Sequence, residues 1–204
     1  IKSNKIPAFF GRVLIMQAIY FQDFKGSYIP EILTEIYQKG VYQSYLGNKK
    51  DMTILDIGAN IGLFSFYARE HAKVIYAIEP SAGHFEALIE MVKFNKFENV
   101  LPLKFAISNE PGIKKLYHNQ NTTMFSLKEA VSQPDLGVEE VEALTLEQLF
   151  KNLGIEHVDL MKLDVEGEEM EIIGGKAFDS VASKIDIIVG ENHSWNATNP
   201  EQLK

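Results

Sequence analysis

The sequence predicts an α/β domain with a mostly parallel, doubly wound sheet in the strand order 3-2-1-4-5. Short apolar runs of strand length alternate with segments of helical periodicity, and this βαβ alternation is typical of parallel sheets with right-handed crossovers. Glycines follow the first apolar run directly, as they do in folds that bind a ligand at the carboxyl edge of the sheet. The length of 204 residues and the hydrophobic fraction of 46% suffice for one domain with its own core.

The elements follow from periodicity and from the residues that end each run. Strands are predicted at MTILDI (52–57), KVIYAIEP (73–80), NVLPLKFAIS (99–108), HVDLMKLD (157–164) and IDIIVGEN (185–192). Helices are predicted over 30–46, 61–72, 82–95, 145–153, 167–173 and 177–184. Thr145 and Gln148 have the spacing of a capping box. The runs GIKKLYHN (112–119) and TMFSLK (123–128) predict either a hairpin or a loop over the sheet.

The chain divides into an N-terminal helical segment (1–48), packed on the core, and the sheet domain (49–204). The apolar run over 6–22 is broken by Arg12 and is too short to span a bilayer. It predicts a packed helix, with a membrane-surface or substrate-lid helix as the alternative. Residues 193–204 are typical of a loop and the first turn of a helix. We therefore expect further C-terminal strands beyond this chain and an open fifth strand that could pair with another copy.

Composition excludes several classes of function. The net charge is −8 and the basic residues are scattered, which argues against a nucleic-acid partner. The absence of cysteine excludes disulfides, thiolate zinc sites and a cysteine nucleophile. No predicted helix could cross a membrane, and we predict a cytoplasmic protein.

The loop after the first strand indicates a nucleoside site. In LDIGANIG, Gly58 and Gly62 let the backbone turn sharply and let a ligand approach main-chain groups. Glu79 ends the second strand, about 20 residues after Gly58, where an acid can accept both hydroxyls of a ribose. The alternative is that glycine serves only a tight turn and that Glu79 only ends a strand.

The loop favours S-adenosylmethionine over a dinucleotide. It lacks the middle glycine of G-x-G-x-x-G, which a pyrophosphate needs. Asp56 lies just before the loop, where its charge would repel a phosphate but would suit an ammonium group. A nucleotide-dependent oxidoreductase and a cofactor-binding scaffold without turnover stay open as alternatives.

Three motifs, ILDIGANIGLFS, YAIEPS and LMKLDVEGEEMEIIGG, resemble the FkbM-type family of S-adenosylmethionine-dependent methyltransferases. The resemblance extends from about residue 50 to residue 193. It implies a Rossmann-like methyltransferase fold and O-methylation of a sugar, glycan or natural-product hydroxyl. It further implies that the methionine end is lined by Asp56, Gly58, Asn60 and Gly62, the ribose is held by Glu79, and the adenine is flanked by Pro80, Ser81, Ala106 and Ser108.

Asp164 is the predicted catalytic acid. It ends the fourth strand, beside the first strand and its loop, and therefore faces the same crevice as the cofactor. A carboxylate there can help an acceptor hydroxyl to lose its proton. Three acids that follow lie in the first turns of a helix, where they favour the helix dipole: Glu168, Glu169 and Glu171. Glu166 lies in the turn itself and stays open between the two interpretations.

The fifth strand ends in Glu191, Asn192 and His193, which should neighbour Asp164. Glu191 and His193 are predicted as further catalytic residues, His193 as a base or substrate contact. Oxygen ligands in this arrangement also suit Mg²⁺, but the resemblance does not favour a metal, and the sequence leaves that choice open. Two weaker candidates lie elsewhere, His118 and Trp195.

Overall fold

A computed structural model describes residues 4–6, 19–21, 32–118, 125–127 and 137–190. Its strands are Asn4–Ile6 (β1), Ile19–Phe21 (β2), Met52–Ile57 (β3), Ala72–Ile78 (β4), Val100–Leu103 (β5), Ala106–Ile107 (β6), Gly112–His118 (β7), Phe125–Ser126 (β8), Val138–Leu144 (β9), Leu160–Leu163 (β10) and Ile188–Gly190 (β11). Its α-helices are Gln43–Leu46 (α1), Leu63–Ala68 (α2), Ala82–Asn95 (α3), Leu146–Leu153 (α4), Glu169–Ile173 (α5) and Lys176–Asp179 (α6).

The main sheet has five parallel strands in the order β5-β4-β3-β10-β11. This confirms the predicted order 3-2-1-4-5. The central strand β3 is buried along nearly its whole length, as expected for a parallel strand covered on both faces. Among the described residues, β11 pairs with β10 alone, and the segment after β5 does not complete the sheet on that side.

A second sheet of four strands, in the order β6-β9-β7-β8, lies after the third main strand. The single strand predicted over 99–108 is therefore two strands. Val100–Leu103 stays in the main sheet, whereas Ala106 and Ile107 pair in parallel with Ala143 and Leu144 of β9. Of the two alternatives left open for 112–119 and 123–128, the structure shows antiparallel pairing: β7 and β8 pair with Tyr117 opposite Ser126.

Two hydrophobic layers cover the two faces of the main sheet. Ile54 and Leu160 belong to the layer that packs under α2 and α3, and the alternate residues Leu55 and Met161 belong to the layer under α4 and α5. The capping box of α4 is confirmed: the Gln148 N–H donates to the Thr145 hydroxyl and the Thr145 N–H donates to the Gln148 side chain.

The N-terminal region differs from its prediction. The helix predicted over 30–46 is interrupted at Gly40, which adopts the left-handed φ of 62° between a π-helix, Thr34–Lys39, and α1. Within the region predicted as a helix over 6–22, the described ends are strands, because β1 and β2 pair antiparallel. Ile36 and Leu46 are buried in the hydrophobic layer under α2 and α3. Within the described ranges, no helix has the length and hydropathy needed to cross a membrane.

Candidate active site

The carboxyl ends of β3, β4 and β10 bring the predicted site residues together. The loop after β3 is tied to β4, because the N–H groups of Gly58 and Ala59 both donate to the carbonyl oxygen of Ile78, at 3.0 and 2.9 Å. It is tied to β10 as well, because the Asp164 N–H donates to the Ile57 carbonyl at 3.0 Å. The glycine loop, the end of β4 and Asp164 therefore form one edge.

Gly58 is required by the protein's own packing. Its φ is +78°, a left-handed conformation, and a Cβ atom at this position would lie 1.8 Å from the carbonyl oxygen of Asp164. No side chain fits there without moving one of the two strand ends. The sequence predicted a glycine for a turn and for ligand approach, and the structure adds the close contact between two backbone segments.

Glu79 is buried behind the loop, with 5% of its surface exposed. Its Oε2 accepts the Asn60 N–H and its Oε1 accepts the Ser81 N–H, both at 2.9 Å. Asn60 itself has a left-handed φ of 53°, which asparagine tolerates. Burial raises the pKa of Glu79 to about 7, although both backbone hydrogen bonds oppose the change. The carboxylate thus fixes the loop and the start of α3 together.

Asp56 lies beneath the loop and is fully buried, with 0% exposure. Its Oδ2 accepts a 2.6 Å hydrogen bond from the Ser65 hydroxyl on α2, and its Oδ1 lies 3.6 Å from the Lys162 ammonium. Burial raises the pKa of Asp56, whereas Lys162 and Ser65 oppose that effect. Asp56 therefore lies at the predicted edge, but its carboxylate is buried and contacts Ser65 and Lys162.

Lys162 is the main site residue that the sequence analysis missed. It stands in β10 opposite Asp56 and is 6% exposed. Its Nζ lies 3.1 Å from Asp164 Oδ2 and donates to the Gly58 carbonyl at 3.3 Å. The available signal was a lysine in the middle of the apolar run LMKLD, two residues before an acid and hence on the same face of the strand.

Asp164 is the member of this group that reaches the crevice, since 31% of its side chain is exposed. Two carboxylates, of Asp56 and Asp164, therefore surround one ammonium, that of Lys162. When all three are ionised the group carries a net charge of −1. A site of this charge suits a cationic ligand and disfavours a phosphate.

The acidic turn after Asp164 is held by one of its own glutamates. Glu169 is buried, and its carboxylate accepts the N–H groups of Val165 at 3.0 Å and Gly167 at 3.1 Å. Its function is therefore to fix the turn, in addition to the predicted dipole effect. Glu166 occupies the turn with a φ of 56°, and its carbonyl accepts the Ser126 hydroxyl of β8 at 2.7 Å. The second sheet is thus attached to this turn.

The remaining predicted residues fall into two groups. Three residues predicted near adenine are buried beside the edge: Ser81, Ala106 and Ser108; Pro80 is partly buried. Glu139 of β9 was not predicted, yet it accepts the Ala82 N–H at the start of α3 at 2.7 Å and lies 3.8 Å from His118. Four other candidates lie outside the described residues: Glu191, Asn192, His193 and Trp195.

A separate cluster, His157, Asp159 and Asp186, lies at the opposite edge of the main sheet. The two ring nitrogens of His157 face carboxylates, with Nε2 3.0 Å from Asp186 and Nδ1 3.9 Å from Asp159. Asp159 also accepts the Thr53 N–H at 2.8 Å. The cluster connects the amino-terminal ends of the three neighbouring strands β3, β10 and β11. It is therefore not part of the carboxyl edge.

The part of the chain that matches a known protein family includes all the residues of this carboxyl edge. Residues 56–203 match the family model described as the methyltransferase FkbM domain. The chain belongs to the FkbM methyltransferase family. This assignment confirms the resemblance to the FkbM-type family. The fold is the Rossmann-like one of this FkbM family, with the predicted central strand order.

Three relatives illustrate the similarity of this FkbM chain to known proteins. It is 26% identical over 170 residues to the 31-O-demethyl-FK506 methyltransferase FkbM of Streptomyces tacrolimicus, covering 69% of this chain and 65% of that protein. It is 28% identical over 155 residues to methyltransferase sdnD of Sordaria araneosa, covering 60% of this chain and 59% of that protein. The crystal structure of a methyltransferase FkbM from Methylobacillus flagellatus KT aligns with a TM-score of 0.42 and 13% identity, over 64% of this chain and 30% of that one. The chain thus spans less than two thirds of the length of these relatives.

Proposed function

We propose that this chain transfers the methyl group of S-adenosylmethionine to a hydroxyl oxygen of a sugar, glycan or small natural product. The observation that carries the proposal is the partly exposed carboxylate of Asp164, held by Lys162 at the same edge as the glycine loop. The name of the Streptomyces tacrolimicus relative describes methylation at an oxygen, which supports an O-methyl product. The turn D-V-E-G also differs from the N/D-P-P-Y/F turn often used on nucleobase amino groups.

The residues at the edge fit the cofactor. Each oxygen of Glu79 accepts one backbone N–H, and a carboxylate oxygen has a second lone pair that can accept a ribose hydroxyl. The net negative charge of the group formed by Asp56, Lys162 and Asp164 suits a sulfonium and an ammonium. Glu79 would therefore hold the ribose, and the loop from Gly58 to Gly62 would hold the methionine end.

The chain's own residues supply positioning and a proton acceptor. When bound, S-adenosylmethionine supplies a sulfonium methyl group as the electrophile. Asp164 would take up the proton that the acceptor hydroxyl loses, and this proton balances the positive charge that the sulfonium gives up. The ammonium of Lys162, 3.1 Å from Asp164 Oδ2, orients Asp164, and alignment of the reacting atoms supplies much of the remaining acceleration.

We further propose that the reaction needs no Mg²⁺. The ammonium of Lys162, 3.1 Å from Asp164 Oδ2, already supplies a positive charge where a divalent ion would bind. A second cation on that oxygen would be repelled at short range. Activity that persists in EDTA and does not rise with added Mg²⁺ is expected, and a strict Mg²⁺ requirement would contradict this part of the proposal.

The cofactor site is tested by calorimetry with S-adenosylhomocysteine. Glu79→Ala should weaken binding by about ten- to hundredfold, because a hydrogen bond to a charged group contributes roughly 1.5–3 kcal/mol. Glu86→Ala is the matched control, since Glu86 is an exposed acid on the following helix. An unchanged dissociation constant in Glu79→Ala would remove Glu79 from the ribose site.

The reaction type is tested by turnover. Purified protein and labelled S-adenosylmethionine are incubated with panels of hydroxyl-bearing and amine-bearing small molecules, and methylated products are detected by mass spectrometry. Asp164→Asn should abolish product formation with a much smaller loss of S-adenosylhomocysteine affinity. Products formed only on amines would contradict O-methylation. An equal loss of binding and turnover would make Asp164 a cofactor residue.

A further inference from the structure

Lys162 is a buried cation with three contacts, and the proposed chemistry gives it no direct part. Its ammonium meets Asp56 at the end of β3, the carbonyl of Gly58 in the loop, and Asp164 at the end of β10. These three groups belong to two neighbouring strands and to the loop that follows one of them. A single side chain therefore joins every part of the edge that surrounds the predicted methionine end.

The position of Lys162 follows from the register of the sheet. Lys162 is the direct neighbour of Asp56 across β10 and β3, and both residues point to the face that carries Leu160 and Ile54. A lysine on that face would otherwise be an unpaired charge in an apolar layer, which is strongly unfavourable. The acids on either side of Lys162 offset this cost, so the burial of the lysine depends on the presence of both carboxylates.

We propose that Lys162 is a positioning residue whose ammonium locks Asp164, the glycine loop and Asp56 into one unit, and whose positive charge sets the pH dependence of cofactor binding. This inference rests on the proposed function, because it takes S-adenosylmethionine as the ligand of that unit. It adds a role for a residue that contacts neither the transferred methyl group nor the acceptor.

The charges around Lys162 determine the sign of its effect. It contacts the carboxylates of Asp164 and Asp56, it is influenced electrostatically by Tyr42, and its field reaches Glu79 at the end of β4. Glu79 is also faced from α3 by the imidazole of His84, whose Nδ1 lies 3.9 Å from Glu79 Oε1. Burial lowers the pKa of Lys162, but Asp164 and then Asp56 outweigh burial and raise it, so the ammonium stays charged. In return, Lys162 opposes the rise in pKa that burial causes at Asp56 and at Glu79.

Removal of the ammonium should therefore move the pH dependence of cofactor binding. Without Lys162, Asp56 and Glu79 would take up protons at higher pH than in the wild type. A protonated Glu79 accepts fewer hydrogen bonds, and a protonated Asp56 no longer contributes its negative charge. Affinity for the cofactor would then begin to fall at a higher pH, whereas a lysine with only a structural role would leave that pH unchanged.

The experiment is titration calorimetry with S-adenosylhomocysteine between about pH 5 and pH 9, on the wild type and three variants. Lys162→Met removes the charge, and Lys162→Gln removes it but keeps a hydrogen-bond donor. Lys162→Arg keeps the charge. Leu160→Ala is the matched control, because Leu160 is fully buried two residues earlier on the same face.

Both neutral variants should move the midpoint of the acidic limb upward by about one pH unit, which means about fivefold weaker binding at the wild-type midpoint and close to tenfold weaker binding below it. Lys162→Arg should keep the midpoint within about half a unit, even if its affinity is lower at every pH. Leu160→Ala should unfold at a lower temperature but keep the wild-type midpoint.

Three results would overturn the inference or separate it from the proposed function. An unmoved midpoint in both neutral variants, with uniformly weaker binding, would reduce Lys162 to a structural role. Failure of the wild type to bind S-adenosylhomocysteine would instead contradict the proposed cofactor. If neither neutral variant folds, restored folding in the double variant Lys162→Met with Asp56→Asn would support the charge balance, and its failure would refute it.

Discussion

Replacement of Gly58 by alanine should unfold the edge between β3 and β10. The added methyl group would lie 1.8 Å from the carbonyl oxygen of Asp164, whereas ordinary contacts begin at 3.4 Å. The obstacle is backbone, so no side-chain rotation can relieve it. One strand end must therefore move by more than an ångström.

The cost has two parts. Alanine in the left-handed conformation costs about 1–2 kcal/mol. The movement also breaks the hydrogen bonds from the Gly58 N–H to Ile78 and from Lys162 to the Gly58 carbonyl, at about 1 kcal/mol or more each. The total is about 3–5 kcal/mol, a large share of the roughly 5–15 kcal/mol that stabilises a domain.

Urea unfolding followed by circular dichroism measures this change, and two other glycines serve as controls. Gly154 has a φ of +63° with open space around it, so Gly154→Ala should lose only the conformational part, about 1–2 kcal/mol. Gly83 lies in α3 without a positive φ and with open space, so Gly83→Ala should be neutral or slightly stabilising. If Gly58→Ala lowers the free energy of unfolding no more than Gly154→Ala does, the close contact with the Asp164 carbonyl does not contribute to the loss of stability, and the reasoning is refuted.

Three further predictions concern single residues. Glu169→Ala should cost about 2–3 kcal/mol in urea unfolding, because two backbone donors in the acidic turn lose their acceptor. A loss below about 0.5 kcal/mol would contradict the capping role. Thr145→Ala should cost about 1 kcal/mol by the same assay, since it removes the capping box with Gln148, and an unchanged midpoint would show that the box contributes nothing. S-adenosylhomocysteine affinity should fall as the pH falls through about 7, the raised pKa of Glu79, because the ionised carboxylate is the better acceptor; a flat profile down to about pH 5 would contradict the ribose role.

Local pattern accounts for much of the fold and part of the site. The apolar runs of strand length and the glycines that follow the first of them predicted the parallel sheet, its order and the edge where Glu79 and Asp164 lie. The break after Leu103 was missed, because nothing in the residues from 99 to 108 marks the point where Ala106 leaves for another sheet. The continuous run is compatible with one long strand, and only pairing with β9 divides it.

The sequence by itself determined which residues stand at strand ends, because chain order and the rule that ligands bind at the carboxyl edge suffice for Asp56, Glu79 and Asp164. Only the tertiary structure decided what these acids contact. The register of β10 against β3 places Lys162 opposite Asp56, and the fold of the acidic turn selects Glu169 over its neighbours as the buried cap. Side-chain alternation determines which face of the sheet a residue occupies within its own strand. Contacts between strands depend also on register and burial, and these are determined by the packing of the whole core.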